Sequence, residues 1–281
     1  MRASLRTALV FAAAIIPSML AAQSWRTFDT ARQLTDTATV TVKVAYSAGR
    51  VILRSDRDGD LFDAHLRYDA DRFEPQYSYS ASARRLELGV RSLSRSTRWS
   101  SDAGSELTLA LATAVPFDLS LDVGAAETDL DLSGLRLRSL VLSTGASDTR
   151  MHFDTPNPIA AASVRIDAGA ANVEALHLAN ARAERISVNV GVGRVLLDFT
   201  GEWTNNTAVD LSTALGAVEL VVPANIGVRI ETSSALQSVD FPGLTKRDGA
   251  WTSDNYDTAP FRVTITSSGA FGRLEFRRTG R

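Results

Sequence analysis

The chain has 281 residues, with thirty basic against thirty-two acidic side chains and a formal charge of −2. That balance excludes the polybasic surface of a nucleic-acid binder, and 44% hydrophobic with 22% charged residues is the composition of a globular chain rather than a disordered one. Cysteine is absent, which removes disulfide frameworks, zinc ribbons, thiol catalysis and lipidation of an N-terminal cysteine together; three histidines argue against a histidine-rich metal centre.

The first element is an address. Arg2 and Arg6 open a positive start, Ala8 to Ile16 is almost wholly apolar, and Met19-Leu20-Ala21-Ala22 closes on small residues. This tripartite form predicts a secretory signal peptide over residues 1–22, cleaved after Ala22. Its apolar run is shorter than the ~20 residues needed to span a bilayer, and no later segment approaches that length. The expected product is periplasmic or secreted, with no membrane span after cleavage.

Ser24 to Leu34 reads as a short helix. From Thr39 onward, apolar and polar residues alternate, as in Val40-Val42-Val44-Tyr46, Leu107-Leu109-Leu111, Phe117-Leu119-Leu121-Val123 and Val218-Leu220-Val222. Period two with β-branched residues predicts strands with one buried face. Ala160 to Ala181 is alanine-rich, yet Val164 and Ile166 alternate and Gly169 interrupts any helix, so it too reads as strand and turn.

The alternating segments also repeat. Leu121-Asp-Val-Gly124, Leu142-Ser-Thr-Gly145, Ile166-Asp-Ala-Gly169, Val188-Asn-Val-Gly191 and Leu211-Ser-Thr-Ala214 place their turn residues 21, 24, 22 and 23 apart. A period in the low twenties, built as strand, small-residue turn and strand, predicts an all-β, parallel β-solenoid resembling a right-handed β-helix. Each repeat alone has nowhere to bury its apolar face; stacked at ~4.8 Å, the repeats pair their backbones and align their inward side chains in columns. Gly124, Gly145, Gly169, Gly191, Gly216 and Gly272 are the expected structural corners, needing either a positive φ or room for the neighbouring coil. The expected division is residues 23–100 as an N-terminal β region capping the solenoid and residues 101–281 as the repeat domain, with Ser92 to Ser105 as linker. The final strand, Arg262 to Arg277, is expected to form the far end, its arginines blocking edge pairing.

Several segments resemble the toast-rack family of exported bacterial proteins, kin to the cell-wall-active-antibiotics-response domains and to candidate adhesin β-helices. The resemblance spans about 39–276 and rests on Arg67-Tyr68-Asp-Ala-Asp-Arg72-Phe73-Glu-Pro75, Phe153-Asp-Thr-Pro156-Asn157-Pro158, Asp198-Phe199-Thr-Gly201-Glu-Trp203 and Asp240-Phe-Pro-Gly243-Leu. Thr200 stands where serine is commoner in the family. The resemblance implies a β-solenoid of the cell envelope and carries over no catalytic residue.

Chemistry is sparse. No nucleophile elbow, His-Glu-Xaa-Xaa-His helix or P-loop occurs. His65, His152 and His177 read as dispersed strand-surface residues. Asp56-Arg-Asp58-Gly59-Asp60 departs from a calcium loop, with its glycine in the fourth position and Arg67 where a bidentate glutamate belongs. Asp129 and Asp131 share one outward strand face, with Asp118 and Asp122 on an earlier strand; such carboxylates could serve as acid and base in a groove, although Leu-Asp-Leu alternation produces such pairs on any acidic face. Trp25, Trp99, Trp203 and Trp251, with Tyr77 and Tyr79, could make a sugar-stacking platform, whereas a tryptophan placed, as Trp203 is, after a Gly-Glu corner more often plugs a solenoid core or covers its end. Asp129, Asp131 and Trp203 are therefore the candidate surface-binding residues, with no catalytic, metal or cofactor site expected. The function that follows is a non-catalytic envelope binding or scaffold module, adhesin-like or tied to envelope stress, whose partner is an envelope protein or glycan. A polysaccharide-active hydrolase or lyase is the alternative, and end-to-end self-association a third reading.

Overall fold

The computed structural model describes residues 24–56, 59–93 and 105–280. The signal peptide, most of the linker with Trp99, and Arg57 and Asp58 of the acidic turn lie outside the described residues. The strands are β1 (Trp25–Gln33), β2 (Val40–Asp56), β3 (Asp60–Asp69), β4 (Phe73–Ser80), β5 (Arg85–Ser92), β6 (Ser105–Ala112), β7 (Pro116–Asp131), β8 (Arg136–His152) and β9 (Ala161–Leu176). After a 3-10 turn at Leu178–Ala181 come β10 (Ala183–Asp198), β11 (Thr207–Pro223), β12 (Gly227–Asp240), β13 (Leu244–Arg247), β14 (Ala250–Ser253) and β15 (Arg262–Thr279). They form one sheet in the order β1-β3-β6-β2-β7-β8-β9-β10-β11-β15-β12-β14-β13, with β5 on the other half of β2 and β4 on β5.

From β2 through β12 every neighbour in that order is parallel. The fold is the parallel β-solenoid that the repeat predicts. The repeat spacing becomes the register: Ala125 lies beside Ala146, Ala146 beside Ala170, Ala170 beside Val192 and Val192 beside Leu215. Antiparallel pairing is confined to the two ends, where β3 joins β1 and β6, β4 joins β5, and β14 joins β12 and β13.

Each central strand is sixteen or seventeen residues long and buries alternate positions on both sides of its middle. Two core columns result. Leu121, Leu142, Ile166, Val188 and Leu211 stack in one; Leu130, Met151, Ala175, Leu197, Leu220 and Phe276 stack in the other. All are essentially inaccessible to solvent, and burial of each large apolar side chain contributes about 1.5–3 kcal/mol.

The remaining side of each coil is irregular backbone, and asparagines satisfy it. Buried Asn157 donates from Nδ2 to the carbonyls of Leu137 (2.7 Å) and Ala181 (3.2 Å), and its Oδ1 accepts from the Leu137 N–H (3.1 Å). One coil on, Asn180 donates to the Phe153 carbonyl and accepts from the Glu202 N–H, both at 2.7 Å. These two amides thus supply partners to buried backbone groups that no regular ladder pairs.

Three expectations change. Ser24 to Leu34 is not a helix: Trp25–Gln33 is edge strand β1, whose mostly exposed side chains give no clean period-two signal. Asp118, Asp122, Asp129 and Asp131 all lie on the single strand β7, which bends in its middle, rather than on two strands. The last strand does not end the stack. β15 is inserted between β11 and β12, so β12 forms the last parallel rung and the β13–β14 hairpin covers part of it.

Candidate functional site

The glycine corners prepare the surface. Gly124, Gly145, Gly169 and Gly191 stand in one column, none with φ in the left-handed range. Close approach explains them: a Cβ on Gly145 would lie 2.5 Å from the Gly124 carbonyl oxygen, and one on Gly191 2.6 Å from that of Gly169. Gly216 and Gly272 belong to a second column two residues along, with φ of 155° and 132°. Close approach therefore acts in both columns and positive φ in the second alone, and β10 carries a glycine of each, Gly191 and Gly193.

On one side of the corner, a trough of about 620 Å³ runs across the rungs over this glycine floor, walled by Asp122, Ser143, Asp167, Asn189 and Ser212. Arg165 donates from Nε to Asp167 Oδ2 at 2.6 Å and holds that carboxyl below the usual carboxylate range, while Asn189 Nδ2 donates to Asp167 Oδ1 at 2.7 Å. On the other side, a second trough of about 630 Å³ is lined by Glu127, Asp129, Asp148, Arg150, Glu174 and Arg194 among others. Asn172 Nδ2 donates to Asp148 Oδ1 (2.7 Å), and Arg150 lies 3.7 Å from Glu174 on the next rung. Arg185 likewise reaches Asp210 one rung on, at 2.7 Å.

At the lip of the second trough the structure assembles a constellation that sequence reasoning missed. Leu130 and Leu132 are buried and turn Asp129 and Asp131 outward. Parallel register sets His152 beside Asp131. His152 Nδ1 lies 3.2 Å from Asp154 Oδ2 and 3.7 Å from Asp131 Oδ1, its Nε2 is 4.0 Å from Asp129 Oδ1, and His177 Nδ1 lies 2.9 Å from Asp154 Oδ1. His152 thus meets both predicted aspartates, and His177 joins the cluster through Asp154. The available signal was that His152 and His177 are 25 residues apart, one more than the register step of 24 between β8 and β9. Among the described residues no group of three or more histidine or acidic side chains is placed to hold a metal ion. The cluster can instead accept and donate hydrogen bonds along an extended polar ligand.

Trp203 has another place. Its ring packs against the core 6.5 Å from that of Phe199, and its indole N–H donates to the Phe199 carbonyl at 3.0 Å. It covers the core, the commoner place for a tryptophan after such a corner, and is not part of a sugar-stacking platform. The other described aromatics do not gather beside it: Trp25 on β1 lies beneath the Arg67 guanidinium, and Trp251 on β14 meets Phe241 edge-on.

Residues 22–175, over half of the chain, match the N-terminal domain of toast_rack, DUF2154. The chain belongs to the toast-rack family. The match begins just before β1 and ends within β9, so it covers the N-terminal strands and the first coils of the stack. No curated protein matches the chain. This toast-rack chain is also similar to solved structures. A candidate cell adhesion protein from Clostridium sporogenes aligns with TM-score 0.48 and 14% identity over 91% of this chain and 100% of its own. A candidate adhesin from Bacteroides fragilis gives 0.36 and 9% over 92% and 98%, and one from Parabacteroides distasonis 0.39 and 10% over 90% and 97%. No helix among the described residues is long and apolar enough to cross a membrane.

Proposed function

We propose that this toast-rack chain is an exported, non-catalytic module of the cell envelope that binds or scaffolds an elongated polar partner, as an adhesin does. The observation that carries this reading is the second trough, which crosses successive rungs so that equivalent polar positions recur at ~4.8 Å intervals. A ligand lying across the strands meets Asp129, Arg150 and Glu174 on successive rungs, with Glu127, Asp148 and Asn172 in a parallel column two residues away, which suits a glycan chain of the envelope better than a compact small molecule. Export rests on the tripartite N-terminus, and the link to envelope stress on the family's kinship with the cell-wall-active-antibiotics-response domains.

A glycan hydrolase or lyase is the second reading, favoured by the meeting of Asp129 and Asp131 with His152 and Asp154. One experiment separates the two. Purified protein is incubated with a panel of envelope and plant glycans, and both retention and product release are followed. The proposal expects retention without turnover, weakened about tenfold or more when Asp129→Ala and Asp131→Ala are combined and each lost charged hydrogen bond removes ~1.5–3 kcal/mol. Turnover abolished by the same double substitution would replace it with the enzyme reading.

A further inference from the structure

We infer that two copies of this chain join tail to tail, through the open edge of β12. On its far side β12 is paired only at Arg229–Glu231, by β14. Residues 232–240 hydrogen-bond to β15 alone among the described residues and leave the other backbone edge unpaired. Unpaired edges template further pairing unless charge, proline or a covering segment prevents it.

The two ends of the stack differ in this respect. At the head, edge strand β1 carries Arg26, Asp29 and Arg32, and edge strand β4 carries Glu74 and Pro75. At the tail, residues 232–240 contain one charged residue, Asp240, and no proline, lysine or arginine. A row of exposed apolar side chains leads to this edge across four neighbouring rungs: Val192 (49% exposed), Leu215 (51%), Phe271 (51%) and Leu236 (68%). Monomers rarely leave a contiguous apolar row in water. The final-strand residue first expected at the terminus, Phe276, is buried within an interior rung.

Both long stretches of sequence outside the described residues are attached at the head. Residues 94–104 connect β5 to β6, both at the head. From β2 to β12 the stack counts seven rung steps, ~34 Å, beyond the out-and-back reach of eleven residues anchored at both ends. Residues 1–23 adjoin β1, also at the head, and the export reading removes them. A second copy brings an edge of the same kind, and antiparallel pairing centred on residue 236 sets the one charge, Asp240, beside residue 232 of the other copy, so no like charges face one another. The head edges carry charges of both signs along their length, while residues 232–240 of β12 carry only the charge of Asp240, with Lys246 and Arg247 set apart on the separate β13 edge. Tail-to-tail pairing through β12 is therefore favoured over head-to-tail. That interface is isologous and closes at two copies instead of growing a filament.

The test uses the chain purified as the cell processes it, with mass followed by sedimentation over a concentration series. The expected result is a rise to a plateau at twice the chain mass. Ser238→Lys, at an exposed edge position, should weaken association about tenfold or more with unchanged melting, whereas Thr27→Lys on β1 should leave it intact. A monomer at every concentration, mass growth without a plateau, or equal association of Ser238→Lys and the unaltered chain would each overturn the inference. So would a monomer that floats with anionic phospholipid vesicles, which would give the apolar row to a lipid surface. Glycan retention in the trough is measured separately, so either result can fail alone.

Discussion

Gly216→Val is expected to destabilise the chain by about 3 kcal/mol or more, lowering the melting temperature by roughly 6–12 °C. Two causes add. The φ of Gly216 is 155°, and a Cβ there would lie 1.9 Å from the Gly193 carbonyl oxygen of the rung beneath. That oxygen belongs to a backbone whose register is shared along the stack, so it cannot yield without disturbing its own neighbours. Gly145→Val tests close approach alone, since its φ is ordinary and its Cβ would meet the Gly124 oxygen at 2.5 Å. Gly243→Ala tests backbone conformation alone, with φ of 78° and nothing within 4 Å, and should cost only about 1 kcal/mol. Thermal melts of the three variants should rank in that order. Equal melting of Gly145→Val and the unaltered chain would mean that the rungs are not packed at these distances.

Asn157→Ala is expected to cost about 3–5 kcal/mol, although it removes only one small side chain. The amide satisfies the Leu137 N–H, the Leu137 carbonyl and the Ala181 carbonyl from a fully buried position, and each buried group left without a partner costs about 1–3 kcal/mol. Asn157→Asp keeps the acceptor, loses the donor and adds a buried charge, so it offers no rescue. The control is Asn172→Ala on the exposed trough, where Nδ2 meets only Asp148 and the loss should stay below about 1 kcal/mol. Denaturant titration of both variants measures the difference; a loss at Asn157 no greater than at Asn172 would show that the irregular side of the coil is not held by this amide.

These two residues also mark what the sequence makes legible. The 21–24-residue spacing of the small corner residues anticipates the rung register, because a parallel stack converts chain distance directly into neighbour relations. The buried face of each strand follows from alternation for the same reason. Spatial order at the tail does not follow. β12 and β15 present similar apolar alternation, Val228-Ile230 and Val263-Ile265, and either could be the terminal rung. The usable signal was Asp248-Gly249, whose φ values of 48° and 81° turn β13 into β14; a hairpin there cannot lie inside a parallel stack and so marks the end next to β12. The roles of Asn157 and Asn180 were hidden because irregular backbone has no period. The His152 and His177 cluster was hidden because it depends on a one-residue offset at the end of a rung, beyond the regular ladder.

The arrangement of rungs is tested most directly by crosslinking, since the chain has no cysteine of its own. Ser212 and Ser268 are exposed partners on β11 and β15, and Ser268 is also the partner of Ser233 on β12. Adjacent rungs stand ~4.8 Å apart and alternate rungs ~9.6 Å, on either side of the ~7 Å limit for a disulfide. Mild oxidation should therefore join Ser212→Cys to Ser268→Cys and leave the Ser212→Cys, Ser233→Cys pair reduced. A disulfide in the second pair and none in the first would contradict the insertion of β15 between β11 and β12 and, with it, this order of the rungs.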